Sequence, residues 1–222
     1  MAFPGLTGKL TYPLSFWAAF WPMTLGWSFR ATGRKNVPRS GPVLLLANHQ
    51  SLLDPVPLDM ASPRPLTFLA RHTVFKYRVW SGILRYYGGI PIDRGHGKDG
   101  LRAVKAALGR GEAVVVFPEG ERTRAGAVQP LKAGVTLIVQ QFDGPIVPVG
   151  IAGAFEAWPR HQFLPRFCPL FIPDSGRGIA ISFGKPIPAT RFAGRDRAEV
   201  LHELNEAVRA EFDRANALRR KR

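Results

Sequence analysis

Six short apolar runs constrain the fold of this chain more than any other feature. They are "VLLLAN" (43–48), "LTFLA" (66–70), "GGIPID" (88–93), "AVVVFP" (113–118), "PIVPVGI" (145–151) and "GIAISFG" (178–184). Each has the length of a strand and is bounded by residues that turn or break the chain. Segments of helical length separate them, at 55–61, 73–85, 98–108 and 132–141. The alternation predicts an α/β domain with a mixed, largely parallel central sheet flanked by helices. In the helix over 98–108, Leu101, Val104 and Leu108 recur at helical spacing, Arg102 and Lys105 fall outside that stripe, and Gly109 stands at the C-cap position. Residues 152–176 are rich in proline and aromatics without a period and read as a long irregular connection. A last helix, about 195–217, puts Leu201, Leu204, Val208 and Phe212 on one face.

A chain of 222 residues with 45% hydrophobic composition holds one sizeable core. We expect an α/β domain over residues 41–222 and an N-terminal appendage over residues 1–40. Cys168 is the single cysteine, so no intrachain disulfide forms and no zinc cluster is available; a reducing compartment fits. The formal charge of +15 directs the surface toward anionic partners. Its distribution is uneven: before Asp54 the chain carries Lys9, Arg30, Arg34, Lys35 and Arg39 and no acidic residue, and it ends in "LRRKR".

Residues 10–29, "LTYPLSFWAAFWPMTLGWSF", carry no charge, and Phe16/Phe20 and Trp17/Trp21 repeat four apart as on one helical face. Twenty residues are enough to cross a bilayer, but Pro13 and Pro22 divide them, and the aromatics favour the head-group boundary. With the flanking cations, this predicts a helical hairpin dipping into one leaflet of an anionic membrane. The prolines and the lack of a small-residue cleavage site argue against a cleaved signal peptide.

The segment "LLLANHQSLLDPVPLDM" places His49 and Asp54 five residues apart. On a continuous helix they would stand about 140° apart and never meet. A strand ending at Asn48, with Asp54 as N-cap and Pro55 at the first helical position, supplies the needed turn. Ligands of open α/β sheets bind where a strand gives way to a helix. There a neutral imidazole can accept a proton, and a carboxylate on its other nitrogen fixes the tautomer. The chain has no GxSxG and no candidate nucleophilic cysteine, so such a base would activate a hydroxyl that arrives with the substrate.

Two more clusters follow apolar runs: "GGIPIDR", ending in Arg94, and "FPEGERTR", with Glu119, Gly120, Arg122 and Arg124. Guanidinium groups grip phosphate, and a neighbouring glycine lets backbone amides approach it. Lys132 adds a point charge at the start of the next helix, and Glu119 among cations can orient them or bind a hydroxyl.

In this order and at these separations, "NHQSLLD", "GGIPIDR", "FPEGERTR" and "IVPVGI" resemble the four motifs of the glycerolipid acyltransferase family, of the 1-acyl-sn-glycerol-3-phosphate (lysophosphatidic acid) type. The resemblance runs from about residue 40 to residue 190. It implies acyl transfer from acyl-CoA or acyl carrier protein to the hydroxyl of a lysophospholipid, with these as co-substrates and no metal or organic cofactor. It further implies His49 as general base and Asp54 as its orienting partner. Arg94, Glu119, Gly120 and Arg122 would bind the glycerol phosphate, and Pro148 would shape a substrate pocket. Membrane association at the cytoplasmic face of the inner membrane is expected with it. Glu121 departs from the usual Thr, and Thr123 from the usual Ser. A carboxylate beside a phosphate site weakens binding unless it turns away. Other readings are a different lyso-lipid acceptor such as an aminolipid, a thioesterase using water, and a non-catalytic basic protein that binds membrane or nucleic acid. The chain carries no nucleic-acid-binding motif.

Overall fold

The computed structural model describes residues 17–18, 20–72, 76, 81–82, 89–92, 97–162, 164–171 and 176–219. Eight strands form one sheet: β1 (Arg30–Thr32), β2 (Val43–Ala47), β3 (Leu66–Arg71), β4 (Gly89–Ile92), β5 (Ala113–Val116), β6 (Pro145–Ala152), β7 (Ala180–Phe183) and β8 (Ile187–Pro188). Their order is β1-β7-β6-β2-β5-β3-β4, with β8 also paired to β6. The ladders β6-β2, β2-β5, β5-β3 and β3-β4 are parallel, while β6-β7 and β6-β8 are antiparallel. The sheet is therefore mixed and largely parallel, as the runs predict.

Helices cover both faces: α1 (residues 20–27), α2 (Pro55–Ala61), α3 (Gly97–Gly109), α4 (Gly134–Val139), α5 (Ala154–Ala157) and α6 (Arg197–Leu218). Strand β2 is central and wholly buried, which explains why it reads as an unbroken apolar run. Val43, Leu45 and Ala47 point into one core with Met23, Trp27, Leu58, Val115 and Val149. Leu44 and Leu46 point into the other with Val104, Leu108, Val139, Leu204 and Val208. Each of these large side chains contributes roughly 1.5–3 kcal/mol by leaving water.

Several expectations change. The helix ending near Gly109 takes its left-handed turn at Gly111 (φ 78°), whose N–H donates to the Leu108 carbonyl; Gly109 is still helical. The buried face of α6 is Val200, Leu204, Val208, Glu211 and Ala215, with Leu201 and Phe212 only half-buried. Glu211 is tolerated there because its carboxylate accepts from Ser182 Oγ and Arg214. β1 and β8 were not foreseen.

Residues 17–18 and 20–27 are helical, so Pro22 lies within helix instead of dividing two. An interior proline costs a helix about 3 kcal/mol, which the burial of Met23 and Trp27 offsets. Val37 joins the same core and Arg30–Thr32 pairs with β7, so the described part of residues 17–40 is continuous with the α/β unit. Among the described residues, no helix is long and apolar enough to cross a membrane. Pro13, the body of the helix expected at 73–85, and Arg94 lie outside the described residues.

Candidate active site

At the carboxyl end of β2 the ladder stops because Asn48 takes over from the backbone. Its buried side-chain amide donates to the Ile151 carbonyl (2.9 Å) and accepts from the Ile151 N–H (2.7 Å). The chain then leaves the sheet, and the next residue is His49. Its neighbours hold the turn from three sides. Gln50 Nε2 donates to the Gly126 carbonyl at 2.7 Å, while Gln50 Oε1 accepts from Phe155 N. Ser51 Oγ donates to the Trp158 carbonyl at 2.8 Å.

Asp54 closes the loop. Its fully buried Oδ2 lies 2.7 Å from His49 Nδ1 and accepts from the N–H groups of Gln50 (2.7 Å) and Ser51 (2.9 Å). Asp54 stands at the N-cap position of α2 but makes no side-chain cap bond. Its backbone is already helical (φ −47°, ψ −41°), whereas a capping side chain needs an extended backbone; at N3 Pro57 has no N–H to offer, and at N2 the Val56 N–H donates to the Leu53 carbonyl. The carboxylate is thereby free to turn back to the imidazole. With Nδ1–H donated to Asp54, Nε2 is the ring's proton acceptor. The imidazole is 21% exposed and stacks on Phe117, centroids 4.2 Å apart, which further fixes its plane.

The loop after β5 lies directly beneath. Glu119 Oε1 accepts from His49 N at 3.2 Å, and Thr123 N donates to the His49 carbonyl at 2.8 Å. Glu119 is buried and also accepts from the backbone of Gln129, while Oε2 has no hydrogen-bond partner among the described residues. Burial outweighs those backbone bonds, and with the nearby Asp54 carboxylate it raises the Glu119 pKa from 4.5 to about 8. Glu119 therefore sits under the His49 backbone, not among surface cations.

Gly120 (φ 73°) is crossed by Lys132: a Cβ there would lie 2.6 Å from Lys132 Nζ. The Lys132 N–H donates to the Pro118 carbonyl, which ties the start of α4 to the same loop. Arg122, half-buried, directly precedes Thr123 and so adjoins the His49 turn. Glu121 turns outward to Arg160, Oε2 to Nη1 3.2 Å, which neutralises the charge that departs from the motif.

The geometry thus brings His49, Asp54, Glu119, Gly120, Arg122 and Lys132 to the carboxyl edge of β2 and β5. Pro148 is elsewhere: it pairs with Leu46, about 10 Å down the ladder from His49. There it meets Gly184, whose N–H donates to its carbonyl, on the face covered by α6. Asn48, Gln50, Ser51, Phe117 and Thr123 were not assigned from sequence. The one local signal for them is a cluster of polar side chains at the end of an apolar strand. Among the described residues, no group of His, Cys, Asp or Glu could hold a metal ion.

Residues 28–152, more than half of the chain, match the model of the family described as Acyltransferase. The chain is similar to 1-acyl-sn-glycerol-3-phosphate acyltransferase of Cocos nucifera, 24% identical over 171 residues (75% of this chain, 53% of that protein). The protein of that name from Helicobacter pylori is 33% identical over 122 residues (53% and 51%). A probable 1-acyl-sn-glycerol-3-phosphate acyltransferase of Mycoplasma pneumoniae is 29% identical over 182 residues (77% and 65%). The matches span about half to two-thirds of the length of these relatives. Among solved structures, the 1-acyl-sn-glycerophosphate (LPA) acyltransferase PlsC of Thermotoga maritima superposes with a TM-score of 0.71 at 22% identity, covering 97% of this chain and 81% of that one. At that identity the likeness speaks for the fold.

Proposed function

The chain belongs to the acyltransferase family, and from that premise we propose that it moves a fatty acyl group from acyl-CoA or acyl carrier protein to the free hydroxyl of a lysophospholipid. The acceptor that best suits a cationic site is 1-acyl-glycerol-3-phosphate, which would become phosphatidic acid. His49 Nε2 takes the proton of the acceptor hydroxyl as its oxygen attacks the thioester carbonyl. Asp54 Oδ2 holds Nδ1–H and stabilises the imidazolium that forms. The carbon–sulfur bond then breaks, and the thiolate leaves with the proton from His49. No protein nucleophile, metal or organic cofactor is needed. Arg122, Lys132 and the backbone at Gly120 receive the phosphate, a role shared by Arg94 of the second motif; Glu119 steadies the His49 turn from below. Pro148 acts at a distance, through the shape of the sheet behind the site.

The observation that carries this reading is the 2.7 Å contact between His49 Nδ1 and Asp54 Oδ2 at a strand end. We further assign the exposed aromatics of residues 17–25 to contact with the cytoplasmic leaflet of the cell membrane, where the acceptor resides. The test is His49→Ala assayed against lyso-acceptors with either donor, products identified by mass. Transfer should fall at least ~10²-fold with the fold retained. Unchanged transfer would remove His49 from the mechanism. Release of free fatty acid regardless of acceptor would make the enzyme a thioesterase instead.

A further inference from the structure

The proline-rich connection after α5 carries a second apolar surface that the site does not use. Leu164 is 68% exposed, Phe167 55% and Phe171 83%, with Leu170 exposed beside them. Large apolar side chains held so openly and so close together mark an interaction surface. The segment is firmly held. Cys168 N donates to the Gly26 carbonyl (2.7 Å) and Leu170 N to the Leu25 carbonyl (3.0 Å), satisfying two carbonyls at the end of α1 that lack helical partners. Trp27 Nε1 donates to the Arg166 carbonyl, Ser28 Oγ to the Cys168 carbonyl, and the Trp27 and Phe167 rings lie 4.7 Å apart. With Cys168 turned inward and buried, its neighbours are forced outward. They adjoin the carboxyl end of α1; Trp21, in its first turn, and Trp17, just before it, are more than half exposed.

The charge of the combined surface selects its partner. Residues 17–53 and 157–173 contain no Asp or Glu, while Arg30 and Arg166 fall within them; Arg160 is already paired with Glu121. A second copy of this chain would bring two like-charged faces together; an anionic bilayer offers both hydrocarbon and negative head groups. We propose that residues 164–171 form, with α1, a two-part membrane-docking face, in which Leu164 and Phe171 insert below the head groups and Arg166 pairs with anionic lipid. The same segment is tied to the catalytic turn. Arg166 N donates to the Ala157 carbonyl, and the carbonyl of the next residue, Trp158, accepts from Ser51 Oγ. Docking through it places the His49 turn at a fixed attitude to the bilayer. The proposal rests on the reading above only in taking the acceptor to be a lipid.

The test uses the full chain and needs no turnover. Vesicles of phosphatidylglycerol in phosphatidylcholine are co-sedimented with the parent and with Leu164→Ser/Phe171→Ser. The double variant should bind at least ~10-fold more weakly, because two apolar side chains no longer leave water. Its acyl transfer to a short-chain, water-soluble acceptor should be unchanged. A second measurement labels Phe171→Cys with an environment-sensitive fluorophore, Cys168 being buried; vesicles should shift its emission to the blue. Unchanged sedimentation of the double variant, or unshifted emission while the protein is vesicle-bound, would overturn the proposal. So would loss of self-association in place of vesicle binding. Failure of acyl transfer in every form of the protein would instead refute the catalytic reading and leave the binding result standing.

Discussion

Replacing Glu119 with glutamine should change how the stability of this protein depends on pH, in a direction the structure dictates. The Glu119 pKa is raised from 4.5 to about 8, chiefly by burial and further by the Asp54 carboxylate. Between those two values the unfolded chain has lost this proton and the folded chain has kept it. Stability from the protonated group is therefore whole below about 4.5, declines by about 1.4 kcal/mol per pH unit toward 8, and levels off above it. From pH 5 to pH 9 the parent loses roughly 4 kcal/mol through this one side chain. Glutamine carries no proton to lose, yet its carbonyl can still accept from His49 N and from the backbone of Gln129. Every other titrating group is common to both proteins. The difference between their urea-unfolding free energies at pH 5, 7 and 9 thus isolates Glu119, and should rise in favour of the variant by several kcal/mol. Parallel pH curves for parent and variant would mean that Glu119 is ionised in the folded state. The account of how it supports the His49 turn would then fail.

Other outcomes follow from the same geometry. Asp54→Asn keeps an oxygen for the Gln50 and Ser51 amides but removes the charge facing the imidazolium; kcat should drop by at least ~10²-fold with KM little changed, read from steady-state kinetics. Trp17→Ser/Trp21→Ser should weaken vesicle binding without lowering the unfolding temperature, because both rings are exposed. Deleting residues 1–30 is a poorer test, since it also removes Met23 and Trp27 from the core and Arg30 from β1.

The legible parts of this protein are those whose cause is local. β2, β3, β5, β6 and β7 read as apolar runs because strands covered on both faces have no polar side to interrupt them. α2 spans residues 55–61 as expected, since Pro55 sets its first turn. β1, by contrast, is the exposed tripeptide Arg30–Thr32; it is a strand only because β7 lies beside it, and no property of "RAT" announces that. The C-cap shifted from Gly109 to Gly111 within "GRG", where either glycine could turn the chain and packing chose.

The same division runs through the site. His49 and Asp54 could be joined by reasoning because they stand only five positions apart, with Pro55 directly after Asp54. The groups that aim the ring come from far along the chain: Asn48 is fixed by Ile151, Gln50 by Gly126 and Phe155, Ser51 by Trp158. Glu119 shows how a motif can name a residue without revealing its environment. In sequence it stands among Arg122, Arg124 and Lys132, a setting that would favour its charge. In the fold, the parallel pairing of β5 with β2 draws it under the His49 backbone, where burial disfavours that charge. Two carboxyl groups thus hold the His49 turn, Asp54 through the ring and the Gln50 and Ser51 amides, Glu119 through the His49 N–H. Asp54 faces the imidazole, where negative charge is useful. Glu119, its pKa raised to about 8 by burial, braces the backbone without adding a second charge behind the imidazole at neutral pH.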